Sequence, residues 1–364
     1  MVPHASEVIS LIPSSLRPYL HHELLETQIE ISTPVCRDLA TLRNALTVLR
    51  HATQQAAKRM GCRIMAAGTG IMPCLDPPPL VPGDRFARIA EAMGGLVTVS
   101  GVCACHVHVG VADRGRAVEV LNHIRPYLPV LQALGANSAV ADGRDTGYAS
   151  WRSILVSRWP TSGPSPRLAS ADHFDEVVAR LQSIGVILDP GMLYWYARPS
   201  PRYPTVEVRA SDVCPTVDEA VLMAALCRAL VRTALGDIAR RLAPPDLDER
   251  LLYAAHWRAA KDGLEGSVVD AQRGELCSGW QLVERFVAHV GLALADHGDM
   301  STVRAALAKL RRHGSGAARQ RHVLRQRRDV LEVARYAVGQ SVLASTSGGV
   351  EPPEGSVSGE VKSP

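Results

Sequence analysis

A strand with two histidines on one side and valines on the other sets the first condition on this fold. Residues 102–111 read VCACHVHVGV. Side chains alternate along a strand, so i and i+2 share a face about 6.6 Å apart. His106, His108 and Gly110 therefore lie on one face, with Val107, Val109 and Val111 on the other. The valine face reads as core, so the histidine face must meet something polar.

Two further stretches follow the same pattern. In YPTVEVRASDV (203–213), Thr205, Glu207 and Arg209 share a face, with Val206 and Val208 behind. In ELLETQIEIST (23–33), read as one strand, Glu26, Gln28 and Glu30 face one way and Ile29 and Ile31 the other. A solvated outer face of an antiparallel sheet alternates in the same way. His-x-His is the least expected of the three on such a face. If the strands are neighbours, Glu30, Glu207 and the histidines line one polar floor, because buried carboxylates need partners or a metal. Carboxylates with an imidazole and an arginine suit Mg²⁺ and a polyphosphate.

The rest of the chain reads as helices and loops around these strands. Leu39, Leu42, Leu46, Leu49, Ala52 and Ala56 recur at threes and fours before Gly61, which predicts a helix. CRIMAAG (62–68) reads as a short buried strand and Pro77–Pro79 as a loop. Residues 94–111 read as one long strand or two joined at Gly101. A helix from about Gly115 to Leu134 is expected to bend at Pro126 and Pro129. Residues 135–170 read as an extended loop, ordered by Tyr148, Trp151 and Trp159. DHFDEVVARLQSIG is a short helix, and Thr216 with Glu219 forms a capping box opening a helix to about Leu242. After residue 300 the chain is basic and helical, with a solvated face preferred over a nucleic-acid arm. A single domain over 1–338 and a disordered tail over 339–364 follow.

Several function classes drop out. There is no G-x-x-x-x-G-K-[ST], no G-x-G-x-x-G and no G-x-S-x-G. The net charge of +4 is spread along the chain, so nucleic acid is not implied. No apolar run approaches the roughly 18 residues that span a bilayer. The opening MVPHASEVISLIPSS lacks the basic start and apolar block of a secretory signal, so a cytoplasmic location is expected. Eight cysteines without a C-x-x-C pair read as buried small hydrophobes rather than a zinc site. A zinc hydrolase built on His106 and His108 needs further ligands, and His123, His173 and His256 fall in predicted helices or at a helix start.

In order along the chain stand CHVHVGV, GRDTGYASWRS, WPTSGP, DPGMLYWYARPS and PTVEVRASDVC. Together they resemble the carboxylate–amine ligase family, also called glutamate–cysteine ligase type 2, from about residue 23 to about residue 335, with GSGAARQR (314–321) as the last motif. The resemblance implies an α+β fold of the glutamine-synthetase-like catalytic type: a curved antiparallel sheet backed by helices. It implies ATP and Mg²⁺ as cofactors and small-molecule substrates, glutamate with cysteine or another amine. The γ-carboxylate of glutamate would be phosphorylated and the amine would attack the acyl phosphate.

Residue by residue, the resemblance implies Glu23, Glu30, His106 and Glu207 as metal ligands. Strand parity favours Glu26 over Glu23, and a bulge would reconcile them. His106, His108 and Arg209 are implied at the nucleotide, and Arg144, Tyr148 and Arg209 at the reacting groups. Arg152 and Arg198 are further candidates for anion contacts, and Trp151, Trp159 and Trp195 are expected to pack. The family's Gly-Val-Glu-Glu-Glu-Phe strand has no counterpart here, and GTGIMP lacks the histidine after Gly-Thr. An unpaired sheet edge and fewer metal ligands are expected, with a non-catalytic binder as the alternative. The chain is compatible with a homo-oligomer.

Overall fold

The computed structural model describes residues 1–74, 77–97 and 101–342. Among them, nine short strands form four antiparallel sheets. They are β1 (Leu20–His22), β2 (Ile29–Ile31), β3 (Ala104–Gly110), β4 (Val140–Ala141), β5 (Arg144–Asp145), β6 (Ala197–Pro199), β7 (Thr205–Asp212), β8 (Ser267–Asp270) and β9 (Glu275–Ser278). The central sheet has the order β3-β7-β6. Its register sets His108 and Arg198 directly opposite Glu207, one on each side.

The valine pattern decides which way this sheet faces. Val107, Val206, Val208, Ala210 and Ala197 are all buried in the largest apolar cluster. Helix Val217–Ala239 packs against β3 and helix Leu128–Leu134 against β7. Val217–Ala239 is apolar around most of its circumference, so it is surrounded by helices Leu39–Arg59, Arg114–Ile124 and Met300–His313. The architecture is thus an antiparallel sheet backed by helices, the α+β class expected.

Several local expectations are refined. The bend between Arg114 and Leu134 is present: Arg114–Ile124 and Leu128–Leu134 are separated by one tight turn containing Pro126. Thr216 caps its helix, accepting from the Glu219 amide. The Glu219 carboxylate instead accepts from the Thr216 hydroxyl and from Arg319, so the reciprocal half of the box is not made. Helix Leu39–Arg59 buries Ala45, Val48, Leu49, Ala56 and Ala57, a stripe rotated from the leucine repeat.

Other expectations are corrected. Residues 23–33 are not one strand: β1 and β2 form a hairpin, and the residues between them turn back. Leu25 bridges Leu80, and the Glu26 amide bonds the Pro79 carbonyl. Residues 62–68 form no strand; Cys62 N and Ile64 N bond the end of the preceding helix instead. Within 94–111 only Ala104–Gly110 is strand, Gly94–Leu96 is a helical turn, and residues 98–100 lie outside the described residues. The 135–170 loop contains β4, β5 and helix Trp151–Val156, and much of it is buried.

The basic C-terminal part forms helices Met300–His313, Gly316–Arg327 and Val330–Val342, the last running past residue 338. The tail expected to be disordered falls, from residue 343, outside the described residues. Basic side chains here are tied to acidic ones: Arg311 to Glu284 at 2.7 Å, Arg319 to Glu219 at 2.8 Å and Arg321 to Asp145 at 3.0 Å. Among the described residues, no helix is long and apolar enough to cross a membrane.

Candidate active site

The site grows from Glu207 on the polar face of the central sheet. Its side chain is only 4% exposed. Arg198 Nε donates to Oε2 at 2.8 Å, and Arg209 Nη1 donates to Oε1. His106 Nδ1 lies 3.6 Å and His108 Nε2 3.9 Å from Oε1. Burial alone would raise this carboxyl; the guanidinium groups of Arg209 and Arg198, with His106, outweigh it and hold it well below the usual carboxylate range.

Strand geometry accounts for the gathering. Arg198 and His108 reach Glu207 from the flanking strands, because residues directly opposite share a face. Arg209 reaches it from two places along β7. A register shift between Cys105 and Val107 re-aims His106 toward Arg209 Nη1, 3.4 Å from Nδ1. Burial first, then the charge of Arg209, pushes His106 well below the usual histidine range. Burial also lowers His108, and its Nδ1 pairs with Thr205 Oγ1 at 2.8 Å. Both imidazoles are therefore neutral near pH 7.

The hairpin supplies the opposite charge. Glu23 is half-buried, and its carboxyl is raised to about 7, by burial first and by the neighbouring charge of Glu30 second. Arg209 and Arg85 act on it in the other direction. Glu30 also acts electrostatically on His108. Glu26, favoured by strand parity, does other work: its carboxylate accepts from Ser6 N at 3.1 Å and Ser6 Oγ at 2.6 Å, at the start of helix Ala5–Ser10. The turn between β1 and β2, rather than a bulge, separates the roles of Glu23 and Glu26.

Arg144 and Tyr148 do not join this cluster. Arg144 is exposed on β5, opposite Ala141. Tyr148 packs on Trp151 with ring centres 5.4 Å apart and carries Lys261 Nζ over its face at 4.5 Å. Arg152 is buried behind the sheet, 3.6 Å from Asp212, and donates to the Arg209 carbonyl at 3.4 Å. Arg198 is also committed: Nη1 donates to the carbonyls of Leu193 at 2.7 Å and Gly191 at 2.9 Å. These two arginines brace the site from within the protein. Trp159 and Trp195 are buried in the core, as expected of packing residues.

The four residues expected to hold metal are not gathered as a ligand set. Among the described residues, no group of three or more His, Cys, Asp or Glu is placed to hold a metal ion. Glu207 spends both oxygens on guanidinium groups. What remains is an anionic flank at Glu23 and Glu30, with Glu23 under the opposing charge of Arg209. Mg²⁺ commonly takes one or two carboxylates and completes its shell with phosphate oxygens and water. That donor set fits the anionic flank.

Asp189, with its partner Arg85, and Asp212 escaped the sequence reading. Asp189 accepts from Arg85 Nε at 2.8 Å and from Gly191 N at 2.7 Å, bracing the loop whose carbonyls hold Arg198. Asp212 lies on the apolar side of β7 and is almost fully buried. An acid on a valine face was the available signal, since such a group needs buried donors.

The chain is similar to several known proteins. A Saccharopolyspora erythraea protein named "Putative glutamate--cysteine ligase 2-1" is 47% identical over 326 residues, 90% of this chain and 87% of the relative. A Salinispora arenicola protein named "Putative glutamate--cysteine ligase 2" is 44% identical over 342 residues, 93% of this chain and 90% of the relative. Among solved structures, a bifunctional glutathione synthetase from Pasteurella multocida shares the fold with a TM-score of 0.66 at 15% identity, over 89% of this chain and 48% of that one. A glutamate–cysteine ligase from Francisella tularensis in complex with AMP gives a TM-score of 0.61 at 12% identity, over 89% and 82%. Residues 5–340 match the family described as Glutamate-cysteine ligase family 2, and the chain belongs to that family.

Proposed function

We propose that this chain is an ATP-dependent ligase that joins the γ-carboxylate of glutamate to the amine of cysteine. The observation that carries the reading is the buried Arg198–Glu207–Arg209 cluster, with His106 and His108 beside it, in a member of this family. The non-catalytic alternative finds no support in the relatives.

In this reading, the γ-phosphoryl group of ATP passes to the substrate carboxylate. The amine attacks the acyl phosphate, and ADP and phosphate leave. Catalysis of this kind is positioning and charge stabilisation. Arg209 donates to a transferring phosphate oxygen, with Glu207 fixing its guanidinium plane. Neutral His106 and His108 offer ring nitrogens without adding charge. Arg144 and Tyr148, on the loop beside the sheet, bind the amino-acid substrate. Glu23 and Glu30 would hold Mg²⁺, which neutralises phosphate charge when bound. The eight cysteines, with no C-x-x-C pair among them, suit a reducing compartment, and we place the protein in the cytoplasm.

ADP release with Mg²⁺ and ATP tests the reading. Release that needs both glutamate and cysteine, and is lost in Glu207→Ala, supports it. Release independent of both amino acids, or none, contradicts it.

A further inference from the structure

We infer that Asp212 is a positioning residue: its carboxylate pins the segment Asn137 to Arg152 against the end of β7, and so sets Arg144 and Tyr148 relative to Glu207 and Arg209. The inference rests on the proposed substrate role of that loop.

The carboxylate gathers donors from both ends of the segment. Oδ2 accepts from Asn137 N at 2.8 Å and Ser138 Oγ at 2.7 Å. Oδ1 accepts from Ser150 Oγ at 2.7 Å, with Arg152 Nη1 at 3.6 Å. Ser138 and Ser150 also bridge each other through the backbone. One buried group thus closes the base of residues 139–149, the stretch that carries β4, β5, Arg144 and Tyr148. Arg152 Nη2 turns back to the Arg209 carbonyl, which couples the base to the strand bearing Glu207.

Packing alone does not require a charge here. An apolar side chain on this face avoids the desolvation penalty of a buried ion. What the carboxylate adds is direction: three donors and a guanidinium fixed to one point. A misplacement of about 1 Å at a substrate-positioning group can lower turnover about a hundredfold. Gly68 shows how tightly the point is held, since a Cβ there would stand 2.9 Å from the Asp212 carboxylate and 3.0 Å from Ser138 Cβ.

The test uses the full chain with Ser150→Ala and Asp212→Asn, read by amide hydrogen exchange and steady-state kinetics. Ser150→Ala removes one donor to Asp212, together with the N-cap of helix Trp151–Val156, and is the milder change if Asp212→Asn does not fold. Loss of one charge-assisted hydrogen bond predicts exchange in 139–149 faster by about tenfold or more. Exchange in Val217–Ala239 stays as in wild type. The KM for glutamate rises about tenfold, and that for ATP stays within about twofold. Unchanged exchange in 139–149 overturns the inference, as does an equal rise in Val217–Ala239. A loosened loop with unaltered glutamate KM overturns the positioning role. A wild-type chain lacking amino-acid-dependent ADP release overturns the proposed reaction, and the exchange pattern then judges the pin by itself.

Discussion

Arg198 Nε stands 2.8 Å from Glu207 Oε2 across two neighbouring strands, and the same guanidinium reaches the Leu193 carbonyl at 2.7 Å. One side chain thereby joins the floor of the site to the loop beside it. A lysine head group cannot serve a carboxylate and several carbonyls in a planar fork. Arg198→Lys should lower kcat/KM at least tenfold and destabilise the fold. Arg85→Lys, in the exposed pair with Asp189, should change stability by under about 1 kcal/mol. Chemical denaturation and ADP release compare the two.

Glu207→Gln leaves Arg198 and Arg209 without their shared counter-charge. Breaking a buried pair on one side destabilises by about 3–5 kcal/mol. The variant should show a lowered urea midpoint at unchanged m-value and no amino-acid-dependent ADP release. A midpoint equal to wild type would contradict the burial of an uncompensated pair.

Glu23 and Glu26 separate by role. Glu23→Gln removes half of the anionic flank and should raise the Mg²⁺ concentration for half-maximal activity about tenfold, the scale of losing a group that supports a metal site. Glu26→Gln weakens the contact to Ser6 and should lower thermal stability with the Mg²⁺ requirement unchanged. Mg²⁺ titrations of both variants check this; equal Mg²⁺ curves would contradict it.

His256 gives the fold an acid sensitivity. It is 2% exposed, its Nδ1 pairs with Gln132 Oε1 at 2.6 Å, and its ring lies tilted against Tyr196 with ring centres 4.4 Å apart. Burial first, and Arg125 second, lower it to about 3. The unfolded chain takes up this proton below its ordinary value of about 6.5, and the folded chain does not until about pH 3. The stability this group supports is complete above pH 6.5 and declines as pH falls toward 3, by up to about 1.4 kcal/mol per pH unit. Urea midpoints at pH 7, 5.5 and 4.5 should fall less steeply in His256→Gln than in wild type.

The central sheet was legible because alternation is a local property. Val107, Val206 and Val208 had to be buried, so Glu207 and Arg209 had to share the other face. The helix bend at Pro126 was legible for the same reason. Pairing was not: which strands flank Glu207 depends on contacts far apart in sequence. The hairpin at β1 and β2 was missed because its apolar residues, spaced at twos, imitate one strand. Arg152 and Arg198 carried charges that suggested ligands, and only the fold shows their internal partners, Asp212 and Glu207.

Transfer of oxygen from the substrate carboxylate to phosphate tests the central claim most directly. Glutamate labelled with ¹⁸O in its γ-carboxylate is incubated with the chain, ATP, Mg²⁺ and cysteine, and the inorganic phosphate is analysed by mass spectrometry. An acyl phosphate formed on this floor of arginines and carboxylates puts one ¹⁸O into each phosphate released. Unlabelled phosphate would mean that water, not the carboxylate, receives the phosphoryl group, and would contradict the account.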